Sequence, residues 1–217
     1  MLISKRTKTA LKFDILRLRA RLKNQIALRK RTPSYPYLHF GCGKKIVPHW
    51  VNVDVVGSPF DIDLASPLPW KDESFEVILS QQVIEHLDLQ TELLVLMAEL
   101  HRVAKKNCEI WLSCPDMSKV CHGYVCDRGA KLLEDRQTRF PVDWHGSMPS
   151  QQIINELFHQ SGQHRNLFDF EFLCWILTRS GFGAAELMTE ADLLRRFPVF
   201  PPRGDDQVAI YVRASKA

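Results

Sequence analysis

Residues 38–54 read LHFGCGKKIVPHWVNVD. Two apolar runs, Tyr37–Phe40 and Trp50–Val55, enclose a turn, and the glycine pair of Gly41–Gly43 directly follows the first run. Short apolar runs that are bounded by turn residues are typical of buried strands. Glycines at the end of a strand permit a tight turn and let a ligand approach bare backbone amides. The segment therefore predicts two strands of one sheet, with a ligand-facing turn after the first.

Beyond this segment, short apolar runs alternate with helical patterns. Further strands are predicted at Phe60–Ile62, Phe75–Ser80, Glu109–Cys114, Ala184–Met188 and Gln207–Val212, and helices at Asp88–Lys105 and Asp169–Ser180. This alternation indicates a doubly wound α/β domain with a mostly parallel sheet. The last two strands are separated by Phe197–Asp206 without a clear helix, which predicts an antiparallel pair at one edge. Residues 116–165 give no clear pattern.

The first 32 residues form a separate basic segment. They hold eleven Lys and Arg against one acid, Asp14, although the formal net charge of the whole chain is only +4. An apolar stripe recurs at three- and four-residue intervals: Leu11, Ile15, Leu18, Leu22 and Ile26. That spacing predicts one amphipathic helix over residues 9–30, which the prolines at 33 and 36 end. We therefore divide the chain into a basic amphipathic helix, residues 1–32, and a domain, residues 37–217.

Three roles for this helix stay open. We favour the arrangement in which its leucine stripe packs on the domain as a lid or an extra core helix. The helix could instead contact an anionic membrane surface through its apolar face and flanking cations. Nucleic-acid binding is the least favoured role, because Phe13 is the one aromatic residue in the segment.

The cysteines and the hydropathy bear on compartment and metal binding. Six cysteines show no paired spacing, so we expect no disulfide framework and a cytoplasmic location, with membrane association as an alternative. No apolar run approaches the roughly 20 residues of a membrane span. Cys114, Cys121, His122 and Cys126 are residue types that bind zinc, but their spacing fits no common zinc module. We therefore expect no metal site.

Residues that could contact a ligand follow the predicted strands in an ordered series. They are Gly41 and Gly43, then Asp54, then Asp63 with Leu64, then Ser80, Gln81 and Gln82. Ligands of a doubly wound sheet bind beyond the carboxyl ends of its strands. A carboxylate after the second strand can accept both hydroxyls of a ribose. One after the third can accept from an exocyclic amine, while a leucine covers the ring.

Together these motifs resemble those of the class I S-adenosylmethionine-dependent methyltransferases. Residues 38–43 look like the first motif of that family, residues 51–54 the second, residues 61–64 with 67–70 the third, and residues 72–78 with 83–87 its fourth-strand segment. The resemblance is close over residues 38–115, and Ser180–Phe182 match the turn before the closing strands. It implies a Rossmann-like, seven-stranded sheet with one antiparallel strand, and S-adenosylmethionine as the cofactor.

The resemblance also implies which residues bind the cofactor: Gly41, Cys42, Gly43, Asp54, Val55, Asp63, Leu64, Ser80, Gln81 and His86. The glycines would face the amino-acid part and Asp54 the ribose hydroxyls. Asp63 and Leu64 would face the adenine, while Ser80 and Gln81 would lie near the sulfonium. Many members have a third glycine where this chain has Lys45, which is its one departure from the pattern.

The acceptor is less well defined by the sequence. A general base is needed only if the acceptor is a hydroxyl or another group that stays protonated near neutral pH. The candidates are Asp143, His145, His159 and His164, of which Asp143, His145 and His164 are predicted to be catalytic. We predict O-methylation of a small molecule or of a cell-envelope saccharide or lipid-linked precursor. The alternatives are an RNA methyltransferase and a non-catalytic cofactor-binding relative that acts as a partner protein.

Overall fold

A computed structural model describes residues 5–25, 30–140, 146 and 148–217. The strands of the described residues are β1 (Tyr37–Phe40), β2 (Val51–Asp54), β3 (Phe60–Asp61), β4 (Phe75–Gln81), β5 (Ala104–Pro115), β6 (Glu186–Met188) and β7 (Ala209–Ser215). They form one seven-stranded sheet in the order β3-β2-β1-β4-β5-β7-β6. The doubly wound, mostly parallel sheet predicted from the sequence is confirmed.

The strands β1 to β5 pair in parallel, and β7 runs antiparallel to both of its neighbours, β5 and β6. The predicted antiparallel pair is therefore present, with β7 one position in from the edge. Its bounds differ from the predicted Gln207–Val212 because β7 pairs with β5 along the whole of Glu109–Pro115. The strand β5 itself begins at Ala104, earlier than predicted.

The helices surround the sheet. In chain order they are α1 (Lys5–Gln25), α2 (Leu94–Val103), α3 (Met117–Asp127), α4 (Ala130–Arg139), α5 (Gln152–His159), α6 (Phe170–Arg179) and α7 (Glu190–Arg196). A 3-10 turn at Ile84–His86 and a π-helical turn at Leu89–Leu93 precede α2. A further 3-10 turn at Gln160–Gly162 follows α5. Among the described residues, no helix is both long and apolar enough to cross a membrane.

Two stretches of helix correct the sequence-based prediction. The segment 116–165, which gave no clear pattern, contains α3, α4 and α5. The helix α7 lies between β6 and β7, where we predicted no helix. Its start is a capping box, in which the Thr189 side chain accepts from the Asp192 N–H and the Asp192 carboxylate accepts from the Thr189 N–H. That signal is local and short, and the apolar pattern of a seven-residue helix is too brief to show it.

Alternating residues of the central strands supply the two faces of the core. Leu38, Phe40 and Ile78 face a cluster that also includes residues of α2 and α6. Val77 and Leu79 face a second cluster on the other side of the sheet, which is completed by Trp50, Trp111, Leu193, Phe197, Phe200 and Tyr211. Burial on both faces explains why the strands read as continuous apolar runs in the sequence.

The helix α1 corrects our favoured arrangement of the N-terminal segment. The leucine stripe faces solvent, with Leu11 56%, Ile15 44%, Leu18 55% and Leu22 56% exposed. The side that contacts the domain is centred on Ala20 and Asn24, which are 2% and 3% exposed. These residues lie on the opposite side of the helix because about 3.6 residues make one turn. The predicted helix also extended to residue 30, whereas α1 ends at Gln25 and residues 26–29 lie outside the described residues.

Candidate active site

The turn after β1 depends on its two glycines. Gly41 and Gly43 have φ angles of 67° and 52°, in the left-handed region that favours glycine. A Cβ on Gly41 would lie 2.1 Å from Cγ2 of Val83, whereas a Cβ on Gly43 would meet no atom of the described residues within 4 Å. Gly41 is thus required by close packing against the chain that leaves β4, and Gly43 borders open space.

Asp54 lies against this turn, as the sequence predicted. Its Oδ2 accepts from the Gly43 N–H at 2.8 Å, and its Oδ1 accepts from the Val55 N–H at 2.6 Å. The Cys42 N–H donates to the Val53 carbonyl at 3.1 Å, which joins the turn to β2. Each carboxylate oxygen keeps a second lone pair, so Asp54 can still accept from a ligand hydroxyl beside the glycine turn.

Asn52, which was not predicted as a site residue, holds the chain that leads into β2. This buried side chain accepts from the Val47 N–H at 2.9 Å and donates to the carbonyls of Val47 at 2.8 Å and Trp50 at 2.9 Å. His39 Nδ1 lies 3.1 Å from Asn52 Oδ1, and burial lowers the pKa of His39 to about 4. A polar residue inside an apolar strand was the signal available in the sequence.

Asp63, which the resemblance implies would face adenine, contacts α1. Only 2% of its side chain is exposed, and its Oδ1 accepts from Arg17 Nε and from the Ala65 N–H, each at 3.1 Å. Arg21 pairs with the other oxygen. Arg17 also pairs with Glu92 at 2.7 Å. The Asp63 carboxylate is therefore already partnered by two cations, neither of which was predicted as a site residue.

The remaining cofactor candidates differ in their surroundings. Leu64 is 5% exposed and belongs to the main core cluster, and Val55 is half-buried after Asp54. Ser80 and Gln81 are buried at the end of β4. Within the described part of the chain, Ser80 Oγ and Gln81 Nε2 have no hydrogen-bond partner, and neither has Ser113 Oγ at the end of β5. Buried polar atoms are almost always satisfied, so orphaned atoms at two adjacent strand ends indicate a polar ligand at this edge.

A family comparison bears on the identity of that ligand. Residues 52–112, which run from β2 into β5, match a family model described as a methyltransferase domain. Over these residues the chain is similar to methyltransferase domains. The open space beside Gly43, the anchored Asp54 carboxylate and the orphaned atoms of Ser80 and Gln81 fit S-adenosylmethionine, the cofactor that the motif resemblance implies. A search of curated protein sequences gives no significant match.

Solved structures similar to this chain include three of distinct kinds. The methyltransferase domain of the citrinin polyketide synthase is 13% identical, with a TM-score of 0.49 over 84% of this chain and 47% of that one. Phosphoethanolamine N-methyltransferase 2 of Haemonchus contortus, in complex with S-adenosyl-L-methionine, is 12% identical, with a TM-score of 0.48 over 90% and 52%. The YcgJ protein of Bacillus subtilis is 13% identical, with a TM-score of 0.46 over 90% and 96%. This chain thus spans about half the length of the first two.

A cluster of titratable side chains follows β4. Glu85 is 1% exposed, and burial raises the pKa of its carboxyl to about 8. The rings of His86 and His164 lie 4.9 Å apart, and burial lowers the pKa of both imidazoles. The structure thus places His164, predicted to be catalytic, beside His86, predicted to bind the cofactor. Glu85 was missed as a functional residue, although it lies inside the fourth-strand motif.

The other acceptor-side candidates are Asp143, His145 and His159. Asp143 and His145 lie outside the described residues and stay predictions. His159 is exposed at the end of α5. Of the residues weighed for zinc, Cys114 is fully buried in β5, whereas Cys126 Sγ lies 3.3 Å from His122 Nε2 on the exposed side of α3.

The segment before β7 adds a second polar group to this edge. Asp205 is 2% exposed, accepts from Arg203 Nε at 2.9 Å and from the Tyr211 hydroxyl, and lies 3.3 Å from Gln82 Nε2. Lys45 lies close enough to interact electrostatically with Arg203. Burial and the Arg203 charge both lower the pKa of Lys45. The turn after β1, the chain after β4 and residues 203–205 therefore meet at one edge.

Proposed function

We propose that this chain is an S-adenosylmethionine-dependent methyltransferase that acts on a hydroxyl group of a small molecule or of a cell-envelope saccharide or lipid-linked precursor. The observation that supports this is the cluster of Glu85, His86 and His164 after β4. Imidazoles with lowered pKa values are neutral near neutral pH, so they can orient a hydroxyl or take its proton. A hydroxyl acceptor needs such assistance because it keeps its proton near neutral pH.

The cofactor, when bound, supplies a methyl group that its sulfonium has already activated. Gly41 and Gly43 would then hold the amino-acid part, Asp54 the ribose, and Ser80 and Gln81 the sulfonium end. What is left for the protein is alignment, which requires the acceptor atom within about 3–3.5 Å of the methyl carbon and the exclusion of water. The acceptor would approach from the side of His86 and His164.

The acceptor class can be tested with S-adenosylmethionine labelled in its methyl group. Purified protein is incubated with saccharide, lipid and RNA fractions, and the label in each fraction is counted. We expect label in the saccharide or lipid fraction, and we expect His164→Gln to lower the transfer rate by about 100-fold or more. His122→Gln, an exposed histidine on α3, is the matched control. RNase-sensitive label, or full activity of His164→Gln, would refute the proposal.

We further propose that α1 places the enzyme on an anionic membrane surface. Its outward stripe of Leu11, Ile15, Leu18 and Leu22 is about half exposed at every position. The exposed cations Lys12, Arg19 and Lys23 lie beside that stripe. An apolar face with flanking cations is the arrangement by which interfacial helices bind anionic lipid. The inward side holds α1 on the domain, so the outward side is free to contact lipid.

Co-sedimentation with vesicles tests this contact. We expect the protein to pellet with phosphatidylglycerol vesicles and much less with phosphatidylcholine vesicles. Leu18→Asp should abolish pelleting, because a charge on the apolar face opposes insertion. Val125→Asp is the matched control, since Val125 is 81% exposed on α3. Equal pelleting of wild type and Leu18→Asp would exclude the membrane contact, and RNA binding that Leu18→Asp retains would support a nucleic-acid role.

A further inference from the structure

We propose that Glu85, His86 and His164 form a binding site for one divalent transition-metal ion. Each residue offers one donor atom, and all three donor atoms lie within 4.8 Å of one another. Glu85 Oε1 is 3.9 Å from His86 Nε2. Ligands that are each about 2.0–2.2 Å from one ion in tetrahedral geometry stand roughly 3.3–3.6 Å apart, so side-chain rotations of about 1 Å would complete the site.

The Glu85 side chain is the first argument for a cation. It is 1% exposed, and neither of its carboxylate oxygens has a hydrogen-bond partner among the described residues. A buried carboxyl group without a partner is costly and calls for an explanation such as a bound ion. The nearby cation Arg203 does not fill this role, because its guanidinium pairs with Asp205.

The tautomers of the two histidines are the second argument. His86 Nδ1 lies 3.3 Å from the Gln163 carbonyl, and His164 Nδ1 lies 2.7 Å from the Leu157 carbonyl. A carbonyl oxygen can only accept, so in both rings Nδ1 carries the hydrogen and Nε2 keeps a free lone pair. Metal-binding histidines almost always show this arrangement, in which a carbonyl or carboxylate fixes the ring through its other nitrogen.

The backbone holds these side chains together. The N–H groups of Arg165 and Asn166 both donate to the Glu85 carbonyl, at 2.8 Å and 3.3 Å. The Asn166 side chain donates to the Leu87 carbonyl. The segment that carries His164 is therefore fastened directly to the turn that carries Glu85 and His86, so their proximity does not depend on loose surface side chains.

The donor set indicates the class of ion. Two imidazoles and one carboxylate suit Zn²⁺, Fe²⁺ or Mn²⁺ and leave positions open for another ligand. This site deepens the proposed function, because an ion there would orient the acceptor in place of the free imidazoles. Ion binding is a separate property, however, and can be measured whether or not the acceptor is a hydroxyl.

The test is metal binding to the full-length protein after treatment with a chelator. Zn²⁺ binding is followed by titration calorimetry, and bound metal is counted by elemental analysis after dialysis. We expect His122→Ala to bind one equivalent, since this variant removes the competing His122–Cys126 pair on α3. Adding Glu85→Gln or His164→Ala should weaken binding by more than about 100-fold, because even loss of an outer partner costs about 10- to 100-fold.

Thermal unfolding without metal shows whether the variants fold. Glu85→Gln keeps the size of the side chain, and its unfolding transition in chelator should stay cooperative. Zn²⁺ should raise the unfolding temperature of His122→Ala and leave that of the Glu85→Gln double variant unchanged. Failure of His122→Ala to bind Zn²⁺, Mn²⁺ or Fe²⁺, or undiminished binding by the folded Glu85→Gln double variant, would overturn the site.

Discussion

The helices α1 and α2 carry similar apolar stripes and use them in opposite ways. In and just before α2, Leu93, Leu96 and Leu100 are completely buried against the sheet. In α1, Leu18 and Leu22 are more than half exposed. The periodicity of apolar residues therefore shows that a helix has an apolar face. It does not show what covers that face.

The contacts with the domain explain the difference. The helix α2 packs through aliphatic side chains on the main core cluster. The helix α1 contacts the domain through charge, with Arg17 and Arg21 on Asp63, and Asn24 Nδ2 on the Asp61 carbonyl at 3.3 Å. Its apolar face is left for another surface, which is the basis of our membrane proposal.

The comparison is tested most strongly by removing one leucine from each helix. We expect Leu96→Ala to lower the free energy of unfolding by about 2–5 kcal/mol, because it leaves a cavity in the core. Leu18→Ala should change that free energy by no more than about 0.5 kcal/mol, as for other surface substitutions. Urea unfolding of both variants measures the difference. A large loss in Leu18→Ala would show that its side chain is buried in solution.

Acidification should destabilise the central sheet through His39 in β1. The pKa of His39 is about 4 in the folded protein and 6.5 in the unfolded chain, so the unfolded chain binds more protons between these values. The free energy of unfolding should therefore fall as the pH drops from 6.5 to 4, by up to about 3 kcal/mol from His39. Lys45 and Arg203 oppose protonation of His39, and Asp54 favours it.

His39→Gln separates this contribution from those of the carboxylates. Urea unfolding at pH 7, 5.5 and 4.5 should give a shallower decline for the variant than for wild type. Equal slopes would mean that His39 accepts a proton freely in the folded state. Release of α1 alone should not follow the His39 titration, because α1 has its main ion pairs with Asp63 and Glu92.

The polar contact of α1 can be broken with little effect on α2. In the double variant Arg17→Ala and Arg21→Ala, the docked state leaves the buried Asp63 carboxylate with the Ala65 N–H as its remaining described partner. We expect the docking of α1 to weaken by about 1–3 kcal/mol. Hydrogen exchange should quicken in α1 and stay unchanged in α2. Arg19→Ala, on the exposed side, is the control and should leave both helices protected.

The same contrast shows how far the sequence alone predicts the structure. The strands from Tyr37 to Gln81 were predicted within one residue or so, because buried parallel strands are apolar runs bounded by turns. The helix α4 was not predicted, because Leu132 is its one buried residue and no apolar stripe results. Local pattern therefore suffices where burial is continuous along the chain, and fails where an element has little apolar contact.

The candidate site divides in the same way. Gly41, Gly43 and Asp54 could be predicted because each follows a strand, and the parallel sheet brings such positions to one edge. The grouping of Glu85 with His164 depends on how residues 160–166 return to the turn after β4. The pairing of Arg17 with Asp63 depends on which face of α1 docks. Both are tertiary facts that have no periodic signal.

Salt should have the smallest effect, and it distinguishes the two helices by the nature of their contacts. Raising the ionic strength from 0.05 M to 0.5 M shortens the screening length from roughly 14 Å to 4 Å, which weakens ion pairs and leaves aliphatic packing intact. Because the Asp63 side chain is 2% exposed and that of Arg17 19% exposed, the pair is partly shielded from the ions. We expect the docking of α1 to weaken by a few tenths of a kcal/mol. Hydrogen exchange should then become faster in α1 and stay unchanged in α2. The Arg17→Ala, Arg21→Ala variant should lose this dependence, whereas a salt response that persists without the two arginines would mean that other contacts hold α1 on the domain.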